Sequence, residues 1–320
     1  AGKDIDAVRV PAFLPDTEIV RNDVLDYLLE IEHFDSHLFQ MISFLKEKGE
    51  LDNTFIVVTA DNGMPFPYAK ANLQEFGTHV PLAISMPNNI ISKKQVHEPV
   101  GLIDIAPTIL ELVNLSGSIA TTGKSLMPIL TQEDHPKHRE FVLTGRERHT
   151  HARPDNLGYP ARAIRTEDFL YVYNFDPDRW PVGDPVPKNP ENDKRNSVSG
   201  FKGLYPGYQD VDPSPSKTIV MELENFQDNK SLFNLAFAKR PQSQLYDIKS
   251  DPYCMIDLSN DVKFKSIKNK LHNQLIEALK AQGDPRAYGN PIFDSYPRYS
   301  SMRNFPGFNI RGTYNEIFAK

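Results

Sequence analysis

The 320-residue sequence has a single cysteine, Cys254, and no run of about 20 apolar residues. One thiol cannot form an intrachain disulfide or a thiolate metal cluster. No general base adjoins it in the sequence, so we predict that Cys254 is a buried structural thiol. The missing apolar run argues against a membrane-spanning helix. Basic and acidic residues, 36 and 42 in number, are interspersed without a basic stripe, which argues against a nucleic-acid partner.

The first ten residues lack the pattern of a secretory signal peptide. The chain begins with Ala1 and not with methionine, so we expect a processed or truncated start. Many of the 26 prolines fall between residues 176 and 215, interleaved with aromatic residues. This composition indicates long surface loops and not a disordered segment.

The first part of the sequence reads as an α/β unit. Apolar residues recur at three- and four-residue spacing from Asp16-Thr17-Glu18 to Gly49, which predicts a long helix. The apolar run Phe55–Val58 predicts a strand buried on both faces, as in a parallel or mixed sheet. A second strand over Val80–Ser85 and a helix over Ile103–Val113 complete an α/β arrangement.

The second part changes character near His135. It contains short strand patterns and one amphipathic helix, which predict a smaller α+β unit on an antiparallel sheet. The strands are expected at Phe141–Leu143, Ala163–Ile164, Phe169–Tyr173 and Leu245–Ile248, and the helix at Phe264–Leu279. We therefore predict two domains, residues 1–135 and 136–320.

The segment after the first strand carries the most informative polar residues. Asp61 and Asn62 follow the strand directly, at the end of the sheet where α/β proteins bind ligands. Their oxygen atoms suit Ca²⁺ or Mg²⁺, although two ligands do not make a site. Lys70 follows and can hold an anion. The alternative is an ordinary Asp-Asn-Gly turn.

Other polar residues leave two interpretations open. His33 and His37 lie one helical turn apart, as metal ligands can, but no third ligand is evident. We favour a solvent-facing position, or contact with a missing part of the protein. For His79, which precedes the second strand, we favour a role in packing over a functional role. The basic stretch Arg146–Arg153 either is a solvated loop or contacts an anion.

Several motifs, taken in order along the chain, resemble the second half of the sulfatase family pattern. A helix bearing Asp35 is followed by a turn, an apolar strand and Asp-Asn-Gly, and further motifs continue almost to the last predicted helix. The matching segments are Leu51-Asp52-Asn53-Thr54, Asp61-Asn62-Gly63, Ala69-Lys70, Gly77–Leu82, Asp104–Thr108, Gly123–Leu126, Gln244–Ile248, Asp251-Pro252 and Leu258. The short Pro-Phe-Pro loop before Lys70 most resembles the heparan N-sulfatase (sulfamidase) branch.

The resemblance implies the C-terminal part of an alkaline-phosphatase-like mixed-sheet sandwich, with Asp35 buried. It implies a hydrated formylglycine nucleophile that attacks sulfur, and a divalent cation, usually calcium, that holds the sulfate. Asp61 and Asn62 would then be metal ligands and Lys70 a catalytic residue on the sulfate. A sulfated carbohydrate would be the substrate, in a periplasmic, secreted or lysosome-like compartment.

The basic stretch acquires a role through the same resemblance, because sulfamidase-like proteins bring a loop to the pocket there. We expect substrate contacts from Arg146, His149, His151 and Arg153, which would suit a sulfated glycosaminoglycan.

The departure from the family is the absence of the Cys/Ser-x-Pro-x-Arg motif that yields formylglycine. The early Asp-Asp metal pair is also absent. We expect these elements in a missing N-terminal segment and predict that this chain alone is inactive. Two alternatives stay open: a phosphodiesterase or phosphonate hydrolase of the same superfamily, and a non-catalytic fragment that binds glycans or a partner.

Overall fold

The computed structural model describes residues 4–87, 95–150, 153, 157–185, 207–226 and 230–296. The helices are α1 (Glu18–Glu47), α2 (Glu75–Thr78), α3 (Ile105–Leu112), α4 (Met127–Thr131), α5 (Pro215–Glu222), α6 (Lys230–Phe237) and α7 (Lys265–Ala281). The strands are β1 (Ile56–Thr59), β2 (Leu82–Ser85), β3 (Phe141–Arg146), β4 (Ala161–Thr166), β5 (Phe169–Asn174) and β6 (Ser243–Asp247). Within the described residues, every helix is too short or too polar to cross a membrane.

Helix α1 has the start and stop that the sequence predicts. The Thr17 hydroxyl accepts a hydrogen bond from the Val20 backbone nitrogen (3.3 Å), which caps the first turn. Gly49 follows the helix with a positive φ of 72°, a conformation that suits glycine. Val20 and Val24 are buried, so the N-terminal half of the helix anchors it to the core.

Four further apolar residues on this face of α1, which we call its apolar stripe, are exposed: Leu28, Ile31, Phe34 and Met41. These side chains keep 38%, 45%, 48% and 54% of their accessible surface. The prediction that Asp35 is buried is wrong, because this face of the helix is uncovered among the described residues and Asp35 is exposed.

Strand β1 pairs with β2 in a two-stranded antiparallel sheet, in the register Ile56 with Ser85 through Thr59 with Leu82. The expectation of a strand buried on both faces is wrong. Three of its residues are half-buried and Thr59 is exposed. The parallel partner that would cover such a strand is not found among the described residues.

The second sheet has the order β3-β4-β5-β6, and all of its neighbouring strands are antiparallel. Strands β4 and β5 cover two of the predicted strands and form a hairpin that turns at Glu167-Asp168. One face, with Ile164, Tyr171 and Leu245, packs against the leucines of α7. The other face contributes to the main core, because side chains alternate across a sheet.

That main core contains residues from both sides of residue 135. Phe13, Val20 and Phe66 share it with Tyr246 and Cys254, which has no accessible surface, as predicted for a structural thiol. Hydrophobic packing therefore joins the α/β part to the antiparallel sheet. The division into domains 1–135 and 136–320 stays a prediction.

A buried carboxylate, Asp104, organises the region around α3. It accepts hydrogen bonds from the Gly101 and Lys124 backbone nitrogens (3.0 and 2.7 Å) and from the side chains of His138 (3.1 Å) and Arg139. Burial by itself would raise the pKa of Asp104, but these donors lower it. Asp104 is thus a structural residue that ties three loops together.

Candidate active site

The loop that follows β1 carries Lys70 between two strained residues. Tyr68 and Ala71 have φ angles of 68° and 63°, in the left-handed region that residues other than glycine rarely adopt. Such strain persists only where surrounding contacts hold the backbone, and it is concentrated at functional sites. The Lys70 backbone nitrogen also donates to the Met64 carbonyl (3.0 Å), which closes the loop on itself.

Side chains from distant segments hold this loop. The Tyr68 hydroxyl donates to the Cys254 carbonyl (2.6 Å). The buried Arg240 guanidinium donates to the side-chain oxygens of Asn72 (2.5 Å) and Gln74 (3.3 Å). These contacts connect the Lys70 loop rigidly to the second half of the chain.

Gly77 lets the backbone pack against the same loop. A Cβ atom built on Gly77 would lie 2.3 Å from the Asn72 carbonyl oxygen and 2.5 Å from that of Ala69. Both atoms belong to the backbone and cannot rotate away. A side chain at position 77 would therefore displace the loop that carries Lys70.

The end of β3 brings a second group of polar residues to the loop. Arg146 donates to the Ala71 carbonyl, next to Lys70, and to Asp210 (3.1 Å). Asp210 also accepts from Arg153 (2.7 Å) and from the backbone nitrogen of Thr150 (3.0 Å). One buried carboxylate thus holds the β3 loop in place.

The carboxylate of Asp210 is stabilised in its ionised form. Burial by itself would raise the pKa of Asp210, but His149, whose Nδ1 lies 3.6 Å from Oδ1, and the two arginines hold it well below the usual range. Burial lowers the pKa of Arg146 to about 10, against the effect of Asp210. At neutral pH the cluster therefore consists of one carboxylate and two guanidinium groups.

A cavity of about 340 Å³ lies between these two loops. Its lining contains candidate site residues from two separate segments of the sequence. They include Asn62, Lys70, Gly77, Arg146, Arg148 and His149. Lys70 is about one quarter exposed and forms an ion pair with Asp212 (2.8 Å).

The donor set for a metal ion is small among the described residues. Asp61 is exposed and Asn62 half-buried. The Asn62 amide nitrogen donates to the Gly63 carbonyl (2.9 Å), so the bond does not use the side-chain oxygen that would bind a cation. The described residues contain no group of three or more His, Cys, Asp or Glu that could hold a metal. Two oxygen ligands fit Ca²⁺ in kind, but the ion takes six to eight.

The remaining candidates take different positions. Arg153 is 4% exposed and does not line the cavity; its guanidinium supports the β3 loop through Asp210. His151 lies outside the described residues. His33 and His37 are exposed on α1, with their Nε2 atoms 3.1 Å apart. His79 binds Glu75 through Nδ1 (3.0 Å).

Sequence reasoning missed Asp210 and Asp212. Both lie within the Pro-rich region, where no motif marks them, and their side chains bind residues 57 or more positions away. The sequence Asp-Val-Asp-Pro was the available signal for these two residues, but such a pattern does not specify any one structure or function.

Solved structures place this fold in a class. A 2-O glycosaminoglycan sulfatase matches with a TM-score of 0.54 at 15% identity, over 89% of this chain and 52% of that chain. A protein of glycosaminoglycan metabolism from Bacteroides thetaiotaomicron matches with a TM-score of 0.55 at 16% identity, over 91% and 50%. The fold is the alkaline-phosphatase-like fold of sulfatases, as the sequence predicted.

Family models agree and are more specific. Residues 7–115 match the sulfatase model, and residues 67–198 match the C-terminal model of N-sulphoglucosamine sulphohydrolase. Together the two matches span residues 7–198, more than half of the chain. Both matches are to sulfatases, so the chain is similar to that family over this range.

Two curated relatives extend over most of the chain. Human N-sulphoglucosamine sulphohydrolase is 27% identical over 302 residues, 87% of this chain and 52% of that protein. An ulvan-active sulfatase from Formosa agariphila is 23% identical over 275 residues, 86% of this chain and 41% of that protein. The chain thus spans about half, or less, of the length of these relatives.

Proposed function

We propose that this chain is the C-terminal portion of a sulfatase that removes sulfate from sulfated carbohydrates, as sulfate esters or sulfamates. The observation that carries the proposal is the position of Lys70. A strained, anchored loop holds its ammonium beside the cavity, and the same loop, which follows β1, also bears Asp61 and Asn62. A fixed cation in such a place stabilises the negative charge that develops on a sulfuryl group.

The proposal includes a divalent cation, with Ca²⁺ favoured over Mg²⁺. Asp61 and Asn62 would supply two of its oxygen ligands, and the others would come from outside this chain. The ion would act as a Lewis acid when bound. A formylglycine nucleophile belongs to the same proposal and would also lie outside this chain, because no Cys/Ser-x-Pro-x-Arg motif occurs here.

The partner that would supply these groups is the N-terminal half of the same protein. The apolar stripe of α1 supports this, since four exposed large apolar residues continue the buried face of the helix. Contiguous apolar surface of this kind marks an interface.

The substrate we favour is a glycosaminoglycan fragment with an N-sulfated glucosamine end. The name of the human relative motivates this, together with the guanidinium groups of Arg146 and Arg148 and the imidazole of His149 around the cavity. A strongly anionic sugar needs positive charge beyond Lys70 and the metal. An extracytoplasmic location, periplasmic, secreted or lysosome-like, would fit such a substrate.

The first test is turnover of an aryl sulfate by the 320-residue chain, alone and with a separately expressed N-terminal segment that contains the nucleophile motif. We expect no activity from the chain alone and activity after complementation. Turnover by the isolated chain would contradict the proposed division of the site.

The second test addresses the metal. In the complemented enzyme, Asp61→Ala should abolish calcium binding, measured by calorimetry, together with turnover. Asp52→Ala, an exposed carboxylate before β1, is the control and should change neither. Normal calcium affinity in Asp61→Ala would remove Asp61 from the ligand set.

A further inference from the structure

The ammonium of Lys70 is already paired with a carboxylate. Lys70 Nζ lies 2.8 Å from Asp212 Oδ2, and both side chains are partly exposed, at 27% and 37%. The two residues are 142 positions apart in the chain. The pair therefore results from the fold and not from local sequence.

The segment that bears Asp212 is held firmly. The buried Lys217 ammonium donates to the carbonyls of Tyr208 (2.9 Å) and Val211 (3.0 Å), on the N-terminal side of Asp212. Asp210, in the same segment, is bound to Arg146 and Arg153. Asp212 is thus a carboxylate with a fixed backbone position and not a mobile surface partner.

Two other acidic groups near the cavity have their own partners. Asp210 is matched by two guanidinium groups, and Glu147 binds Arg162 and Arg286, each at 2.8 Å. Asp212 is the carboxylate that forms an ion pair with Lys70 among the described residues. It reduces the attraction of Lys70 for an incoming anion, and more strongly for an anion with two charges than for one with a single charge.

We propose that Asp212 selects the charge of the bound group: it makes the Lys70 site favour a singly charged oxyanion over a doubly charged one. Sulfate esters and sulfamates carry one charge on the sulfuryl group, whereas phosphate monoesters carry nearly two at pH 7. Asp212 would then be a specificity-determining residue that discriminates against phosphate monoesters. This inference rests on the proposed role of Lys70 in binding the sulfuryl group.

Sulfamate and inorganic sulfate are suitable probes, because both are tetrahedral sulfur oxyanions that carry one and two charges, respectively. Each is titrated into the 320-residue chain at constant ionic strength and pH 7, with binding followed by NMR shifts of the Ala71 and Thr78 amides. We expect wild type to bind sulfamate more tightly than sulfate. Asp212→Asn should improve sulfate binding relative to sulfamate by about fivefold or more, since a unit charge near the site is removed.

Three controls accompany this titration. Asp212→Glu keeps the carboxylate and should preserve the preference for sulfamate. Asp168→Asn breaks a remote surface pair with Lys249 (2.5 Å) and should change neither affinity. Lys70→Met should weaken binding of both anions.

The outcomes separate the two hypotheses. If Lys70→Met weakens binding but Asp212→Asn changes the affinity for both anions equally, charge selection by Asp212 is overturned. The proposed function is then unaffected. Binding that is absent in wild type, or unchanged in Lys70→Met, overturns the role of Lys70 and the inference with it. A shift in preference confined to Asp212→Asn supports the inference.

Discussion

At the scale of single residues, buried charges are tolerated here because each has a partner at hydrogen-bonding distance. Asp210 has no accessible side-chain surface and serves Arg146 and Arg153 together. Removal of one member of such a cluster leaves the others buried without compensation, which costs more than the pairing itself contributes.

We predict that Asp210→Asn lowers the free energy of unfolding by about 3–5 kcal/mol, because two buried guanidinium groups lose their counter-charge. Asp212→Asn, on the same segment but partly exposed, should cost less than about 1 kcal/mol. Urea denaturation of both variants measures the difference. Equal losses would show that burial of Asp210 is not what makes it important.

A second prediction concerns acid stability. Burial by itself would raise the pKa of Glu75, but hydrogen bonds from His79 and Arg165 lower it to about 2. Since the folded-state pKa lies below the unfolded value, the stabilisation is complete above about pH 4.5 and is lost as the pH falls towards 2. At pH 7 it amounts to about 3 kcal/mol.

Glu75→Gln should therefore reduce the free energy of unfolding at pH 7 by about 2–3 kcal/mol, and the difference from wild type should shrink as the pH falls from about 4.5 towards 2. Denaturation at several pH values between 2 and 7 provides the measurement. Glu30→Gln, an exposed change on α1, serves as the control. A constant difference across this range would exclude an ionised Glu75 as the source of the stability.

At the scale of elements, the loop after β1 depends on the close approach of two backbones. We predict that Gly77→Ala destabilises the protein by about 1–3 kcal/mol, since the new Cβ would overlap the carbonyls of Asn72 and Ala69. It should also displace Lys70, visible as weaker anion binding in the sulfamate titration.

Gly101→Ala, at a glycine outside the Lys70 loop, is the matched control for Gly77→Ala. Its Cβ would meet the Ile103 Cγ2 atom at 3.2 Å, a side-chain contact that can relax. We expect a small loss of stability and unchanged anion binding. If Gly77→Ala behaves like Gly101→Ala, the loop tolerates displacement and does not position Lys70 rigidly.

At the scale of the whole molecule, the exposed apolar stripe of α1 is the dominant feature. We predict that the isolated chain self-associates through it, measured by analytical ultracentrifugation, and that the double variant Ile31→Gln/Phe34→Gln reduces association. The same variant should weaken complementation by the N-terminal segment, because it removes apolar area from the proposed interface.

Leu29→Gln provides the comparison for this test. Leu29 is 44% exposed, close to the values of Ile31 and Phe34, but lies on the opposite side of the helix. We expect it to change neither association nor complementation. Equal effects of Leu29→Gln and the double variant would point to general hydrophobicity and not to a defined interface.

The sequence alone determined the local features of this protein. Helix α1 follows from its apolar spacing between Thr17 and Gly49, and strands β4 and β5 follow from their strand patterns. The loop after β1 was singled out because Asp61, Asn62 and Lys70 lie close together in the sequence. Such features depend on neighbours within a few positions, where backbone geometry and side-chain spacing are set by sequence.

Only the tertiary structure decided which charges are engaged and which strand faces are covered. Arg146 and Arg153 read as free cations in the sequence, yet Asp210 reaches them from 64 and 57 positions away, and Asp212 reaches Lys70 from 142. The exposure of β1 and of Asp35 also could not be predicted from the sequence. The physical reason is that ion pairing and burial depend on distance in space, which the order of residues along the chain does not specify.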